Sequence, residues 1–358
     1  MDKLREAFAI YKGRRILVTG NTGFKGSWLS FWLHLLGADV YGFSRDVPTS
    51  PSHFELLRLH ELSNHRFGDL RDTSAVDSLV REVEPEIVFH LAAQATVRQS
   101  YLDPKETFDT NVGGAVNLLE ALRKCPSLRS LVFITSDKCY LNLETRRGYS
   151  EDDRLGGVDP YSCSKAAAEH VLAAYRNAYF SHNQSVGAAS TRAGNVVGGG
   201  DWAPDRIIPD CVRSLSNGGV IRIRSPRATR PWQHVLEPLS GYLMLGAQLL
   251  EKPSEFSGAW NFGPHESASH SVEDVVRKAI NVWGSGSYDV EPVDNQLHES
   301  TLLHLNAARA ESRLGWKTRW NFDSTMTHTV GWYKALAHGA DARTLTTEHI
   351  NTYLASTP

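Results

Sequence analysis

Cysteine is scarce in this chain. Cys125, Cys139, Cys163 and Cys211 are the only four in 358 residues, and no two form a C-x-x-C pair. That spacing supports neither a zinc knuckle nor a disulfide framework, so the four read as reduced thiols and no metal site is expected. Long apolar runs are missing too, none approaching the roughly 18 residues that span a bilayer. Neither charge sign is in excess, with 38 Lys and Arg against 40 Asp and Glu. Such a balance supplies no general field for DNA, RNA or an anionic membrane, so neither nucleic acid nor a membrane is an expected partner. Met1 to Phe8 mix both signs and lack the apolar stretch of a secretory signal, which leaves the cytoplasm as the expected compartment. Repeats, low-complexity tracts and clean linkers are absent as well.

What remains is a globular composition, 41% hydrophobic and 22% charged, in a chain longer than one core usually grows. Two interlocked parts are expected. The odd count is nine tryptophans, seven of them after residue 200, as core filler or as a binding surface.

Residues 14–19 form a short β-branched run ending at Gly20, and a helical apolar pattern follows from Ser27 to Gly37. Strand-length apolar runs recur at 38–44, 86–93, 130–136 and 186–192. Helical stretches at 73–83, 106–124 and 164–181 separate them. Buried strands alternating with helices predict an α/β fold, a doubly wound parallel (Rossmann) sheet. Beyond residue 195 the elements become shorter and mixed. The expected division is a dinucleotide-binding domain over 1–190, with a segment returning near 230–250, and a smaller mixed α/β substrate domain over 191–358.

Gly20-x-x-Gly23-x-x-Gly26 lies between the first strand and the first helix, the context of a dinucleotide fingerprint. Its glycines let backbone approach a pyrophosphate, and free N–H groups at the helix start hold the charge. The second strand ends in Ser44, Arg45 and Asp46. Arg45 suits a 2′-phosphate and Asp46 a free 2′-hydroxyl, so NAD and NADP both stay open here. Gly68-Asp69-Leu70 is placed to contact the adenine, although an exposed Asp before a helix serves equally as a cap.

Tyr161 and Lys165 stand four apart at a helix start, hence on one face. An ammonium beside a phenol lowers its pKa, so Tyr161 is expected to act as a base on a hydroxyl. Thr135-Ser136-Asp137-Lys138 closes a buried strand, where ligands bind in parallel sheets, and Ser136 then reaches the same substrate oxygen.

The fingerprint with His90-Leu-Ala-Ala-Gln94, Asn111, Ser136 and the Tyr161/Lys165 pair resembles the extended short-chain dehydrogenase/reductase superfamily. Asn21-Thr-Gly-Phe-Lys-Gly-Ser-Trp-Leu, Ser136-Asp-Lys-Cys-Tyr, the Arg192–Asp210 block, Arg230-Pro-Trp-Gln-His-Val and Ala259-Trp-Asn-Phe-Gly-Pro are similar to the CDP-glucose 4,6-dehydratases. The resemblance runs from about residue 10 to 335. It implies bound NAD, contacted by Gly20, Thr22, Gly23, Phe24, Lys25, Gly26, Ser44, Arg45, Asp69, Leu70, Leu91, Ala92, Ala93, Gln94, Asn111, Tyr161 and Lys165. It implies oxidation at sugar C4 by Tyr161 with Lys165 and Ser136. Elimination of water falls to Asp137 as acid and Lys138 as C5 base, and hydride returns to C6. The substrate is a nucleotide sugar, with a CDP-hexose foremost, held by Ser136, Asn195, Arg206, Arg230 and His234. Arg206 and Arg230 suit a diphosphate; arginines paired with Asp201, Asp205 or Glu237 for structure alone are the plain alternative. A homodimer is expected by analogy.

One segment departs from the family pattern. Leu141, Thr145, Arg147 and Ser150 replace a glutamate, two tryptophans and an arginine, and Asn21 and Asn306 replace a histidine and an aspartate. Since residues 141–150 join the Asp137 strand to the Tyr161 helix, they are expected to border the sugar. A 4-epimerase, or a dehydratase of another NDP-sugar, therefore stays beside CDP-glucose dehydration, with a non-catalytic nucleotide-sugar binder as the outlying reading.

Overall fold

The computed structural model describes residues 3–145, 147–181, 186–264, 269–291 and 303–357. Six strands appear in chain order: β1 Arg15–Thr19, β2 Asp39–Ser44, β3 Asn64–Phe67, β4 Ile87–His90, β5 Ser130–Ile134 and β6 Gly187–Arg192. A seventh, Gly258–Asn261, completes one parallel sheet in the order seventh–β6–β5–β4–β1–β2–β3. The apolar runs are continuous because the sheet is covered on both faces. Ile16 and Val18 enter one hydrophobic core while Leu17 enters the other, and Phe89 and Val88 divide in the same way.

Strand order reverses between β1 and β4, so the loops after them part and leave a crevice at the carboxyl edge. The helix Phe24–Leu35 follows β1 at that point. The expected 106–124 helix is in fact Pro104–Phe108 and Gly114–Leu122 joined by a π-helical turn, Asp109–Gly113. The next helix begins earlier than the apolar pattern indicates, at Pro160, because Asp159 accepts from Ser162 N and caps it. Tyr161 thereby falls in its first turn.

The chain returns to the sheet through the helix Leu236–Glu251, whose Gly246 carbonyl accepts from Ser130 Oγ at 3.0 Å. The return then runs past residue 250 as the seventh strand. Gly-Ala-Trp-Asn lacks the β-branched run that marks the others, which is why the pattern did not carry it. Nor does the C-terminal part stand alone. The helix Ala342–Ala355 packs on Phe24–Leu35, with Tyr353 edge-on to Trp32 at 6.1 Å and His349 over Trp28 at 6.3 Å. Trp28, Trp32, Trp260, Trp316 and Trp332 are fully buried, so most of the tryptophan excess is core. Among the described residues no helix is long and apolar enough to cross a membrane.

Candidate active site

Loops from β1 and β4 meet at the crevice so closely that side chains are excluded. A Cβ on Gly20, where φ is +75°, would lie 2.7 Å from Ala92 N, and one on Gly26 would lie 2.0 Å from Gly20 O. Leu91 N and Ala92 N donate to Thr19 O and Thr19 Oγ1, which lays the Leu91–Gln94 loop over the glycine turn. Gly23 caps the Phe24 helix without any side-chain hydrogen bond, so the N–H groups of its first turn face the loop. This close-approach, uncapped cradle fits a dinucleotide pyrophosphate.

The rim is laced by side chains. Thr22 Oγ1 donates to Asp46 O at 2.7 Å, Ser44 Oγ donates to Asn21 Oδ1 at 2.8 Å, and Asn21 Nδ2 meets His65 Nδ1 at 3.1 Å. Asn21, the residue that departs from the family histidine, thus ties the ends of β2 and β3 to the glycine turn. Arg45 is neutralised by Asp46 at 2.8 Å and Glu106 at 2.5 Å, an arrangement that opposes capture of a 2′-phosphate and favours NAD. Asp69 is clasped by Arg71 at 2.6 Å, and the Leu70 side chain turns into the core against Gly114. Asn111 is likewise a strut: its amide bonds Gln94 N, Gln94 O and Ser164 Oγ at 2.8–3.1 Å, while the Gln94 side chain bonds Thr96 and Thr107. The π-helical turn carries Asn111 to that junction, and such turns are frequent at functional sites.

Across the crevice, Ser136 Oγ donates to Asp137 Oδ1 at 2.8 Å and accepts from Lys138 N at 3.2 Å. The same serine acts on the Tyr161 hydroxyl, favouring its ionised form. The expected lowering of the Tyr161 pKa by Lys165 is not found. Burial pushes the phenol up to about 12, with the Ser136 hydrogen bond opposing it, and Lys165 Nζ stands 5.8 Å from the ring centroid. Lys165 is itself lowered to about 8 by burial and then by the charge of Lys25. Lys25 is also lowered to about 8, by burial and Arg206, with Asp137 opposing. Five charged or ionisable groups, Lys25, Asp137, Tyr161, Lys165 and Arg206, therefore share one electrostatic pocket.

On the substrate side, Asn195 sits at φ +51° beside β6 and its carbonyl accepts from Gln233 N. Arg206 pairs with Asp201 at 2.8 Å, as the structural alternative had it, yet also faces Tyr161. Arg230 lies in a two-residue strand paired with His270 and donates to Thr229 O at 2.8 Å. His234 is a correction: it is 0% exposed, edge-on to Trp28 and Trp320, and reaches no crevice. Both residues of the short strand Gln233–His234 are buried, and His234 lies among aromatic rings of the core.

Asp205, a candidate structural partner of Arg206 or Arg230 in the sequence, instead bridges two other arginines. At φ +60° it meets Arg98 at 2.8 Å and Arg224 at 3.3 Å, tying the helix Val97–Leu102 to the substrate side. Other groups escaped the sequence reading. Glu169 and Arg192 form a buried ion pair behind Ser136. A signal existed for Glu169, which is one helical turn beyond Lys165 on the same face. In the divergent segment, Tyr149 stacks on Tyr140 at 5.2 Å, and Leu141 packs by Gly156. Arg147 instead points outward to Asp153 at 2.7 Å.

A dinucleotide turn, a serine, a tyrosine and a lysine meeting at one edge of a parallel sheet are what extended short-chain dehydrogenases/reductases share, and this chain falls in that class. The profile of the GDP-mannose 4,6 dehydratase family matches residues 17–329, and the chain belongs to that family. It is 46% identical over 351 residues to a CDP-glucose 4,6-dehydratase of Salmonella typhimurium, covering 97% of this chain and 98% of that one. Two solved structures share the fold. An epimerase of Methanothermobacter thermautotrophicus superposes with a TM-score of 0.80 at 21% identity, over 94% and 98% of the two chains. The dTDP-glucose 4,6-dehydratase of Bacillus anthracis, in complex with NAD, gives 0.73 at 23%, over 89% and 96%.

Proposed function

We propose that this chain is an NAD-dependent nucleotide-sugar 4,6-dehydratase acting on CDP-glucose and yielding CDP-4-keto-6-deoxyglucose. The observation that carries it is the shared pocket: Ser136 Oγ donates to the Asp137 carboxylate at 2.8 Å, and Ser136 and the Asp137 charge both act on the buried Tyr161 phenol. A proton acceptor for C4–OH and a proton donor for C6–OH are then side by side, as oxidation and elimination on one sugar require. The likeness to the Salmonella CDP-glucose enzyme supports the same substrate.

Bound NAD would supply the hydride acceptor for C4 and the hydride donor for C6. The glycine turn with Phe24, Lys25 and Leu91–Ala93 would hold it, and Lys165 Nζ lies 5.8 Å from the Tyr161 ring centroid. Tyr161 takes the C4 hydroxyl proton while Ser136 orients that oxygen. Once C4 is a ketone, Lys138 removes the C5 proton. The C5–H electron pair becomes the C5–C6 double bond as the C6–O bond breaks, and Asp137 gives its proton to the departing oxygen, releasing water. Lys138 then returns a proton to C5. Arg206 and Arg230 bind the diphosphate. The enzyme works in the cytoplasm as a homodimer, with residues 1–190, the returning helix and the seventh strand holding the cofactor.

The test is product mass after incubation with CDP-, dTDP-, UDP- and GDP-hexoses. Loss of one water from CDP-glucose is expected. Unchanged mass with inverted C4 in every arm would make the chain an epimerase instead.

A further inference from the structure

The ends of β5 and β6 lie side by side, with Thr135 N donating to Thr191 O at 2.9 Å. Glu169, reaching in from the Tyr161 helix, accepts from Thr135 Oγ1 at 2.5 Å and from Ser190 Oγ at 2.7 Å. Arg192 closes on the same carboxylate with two parallel hydrogen bonds of 3.0 and 2.8 Å. Its remaining nitrogen donates to Tyr140 OH at 2.6 Å and Glu151 O at 3.2 Å. Both side chains of the pair are 4% exposed. Planar guanidinium on carboxylate fixes direction as well as distance, so the backbone leaving Arg192 has little freedom.

Two residues further on, that backbone passes Asp137. A Cβ at Gly194 would fall 2.0 Å from Asp137 Oδ2 and 2.4 Å from its Cγ. Gly194 has no left-handed φ, so its lack of a side chain serves space and not conformation. Its carbonyl accepts from Gln233 Nε2 at 3.1 Å, which pins it from the other side. Among the described residues, Asp137 Oδ1 takes the hydrogen bonds of Ser136 Oγ and Lys138 N, at 2.8 and 3.0 Å, and Oδ2 takes none. Oδ2, pressed against Gly194, is the oxygen left to carry a proton.

We propose that Gly194, held in place by the Glu169–Arg192 pair, is the positioning residue that aims Asp137 Oδ2 at the C6 hydroxyl, and so governs elimination separately from oxidation. This rests on Asp137 being the elimination acid. The strand-end tether orients the carboxylate through Ser136 on one side and through Gly194 on the other. Tyr161 lies in the first turn of the Pro160–Tyr175 helix and is not among the atoms nearest a Cβ on Gly194.

The experiment compares wild type, Gly194→Ala, Asp137→Asn and the double variant as NAD-loaded enzymes given CDP-glucose. Water loss is followed by mass, reduced nicotinamide by absorbance, and fold by cofactor content and melting. Gly194→Ala is expected to slow water loss by about 10²-fold, the usual effect of an ångström's misplacement. KM should hold and reduced nicotinamide should accumulate, because C4 oxidation still proceeds. Added to Asp137→Asn, the alanine should cost almost nothing more, since the group it misaims is gone. Normal water loss in Gly194→Ala, equal slowing of both steps, or full additivity in the double variant overturns the proposal. Glu169→Gln, which keeps the glycine and loosens the tether, runs through the same cycle and decides the matter should Gly194→Ala melt early. Wild type that loses no water from any NDP-hexose overturns the functional reading itself, before any variant is compared.

Discussion

Lys25, on the glycine turn, sets its ammonium where it depresses that of Lys165 on the opposite wall. Burial is the larger cause, and together they bring Lys165 to about 8. A lysine with a lowered folded pKa loses its charge as pH rises through that value. In the ligand-free site, the positive charge that stands 5.8 Å from the Tyr161 ring centroid therefore fades above about pH 8.

Replacing Lys25 by methionine removes one positive neighbour and leaves the burial. Lys165 should then titrate higher, by part of its shift, and the alkaline limb of kcat/KM should move the same way. A limb that stays put, or moves to lower pH, contradicts the coupling. Cofactor content checks that the glycine turn survives.

Tyr161→Phe keeps the ring and removes the hydroxyl. Burial raises that phenol to about 12, so it must lose its own proton before it can take the C4 hydroxyl proton, and Ser136 favours that ionised form. Turnover should fall by about 10²–10⁴-fold, the range for losing a general base. Retained NAD and an unchanged melting temperature separate this from a folding defect.

Arg192→Met leaves Glu169 charged in a dry site with Thr135 and Ser190 as its remaining partners. Removing one partner of a buried pair costs about 3–5 kcal/mol. Chemical denaturation should show that loss, and Glu169→Gln with Arg192→Met should recover part of it. Equal stability of wild type and Arg192→Met would show that the pair is not buried as described.

Acid should unfold the protein from its histidines. His53 and His349 are both lowered to about 3, chiefly by burial beside Trp28. His234 and His328 in the same cluster are lowered too. The unfolded chain binds these protons near pH 6.5; the folded chain binds those of His53 and His349 only near 3, that of His234 well below 6.5 and that of His328 below 6.5. Stability is thus complete above 6.5 and is lost as pH falls toward 3, at about 1.4 kcal/mol per unit per histidine. Glu237, raised to about 7 by burial and bonded to Tyr353, works against this by taking a proton as pH falls from 7. The histidines outnumber it, so urea midpoints should drop between pH 6.5 and 4. His349→Phe should make that slope shallower, and a midpoint flat across the range refutes the assignment.

The parallel sheet was legible because doubly buried strands leave continuous apolar runs, and the glycine turn because its context, strand then helix, is local. Ser136, Asp137, Tyr161 and Lys165 were legible for the same reason: each sits at the end or start of an element that the pattern marks. What stayed hidden is long-range. Glu169 meets Arg192 across 23 residues and Thr135 across 34, and Asp205 meets Arg98 across 107. Nothing local tells a buried pair from two solvated charges. His234 misled because a histidine in a family-matched block reads as a ligand, whereas the rings of Trp28, Trp320 and His349, distant in sequence, bury it. The seventh strand was missed because glycine, alanine and asparagine leave Trp260 as its only large apolar residue.

The helix Ala342–Ala355 covers Trp28 and Trp32, and His53 Nε2 meets Thr346 Oγ1 at 3.1 Å. Residues at the front of the chain therefore wait for residues at the back. Full burial of the nucleotide-loop helix is thus a property of the whole chain, since Phe8 on one side and Tyr353 on the other both pack edge-on against Trp32.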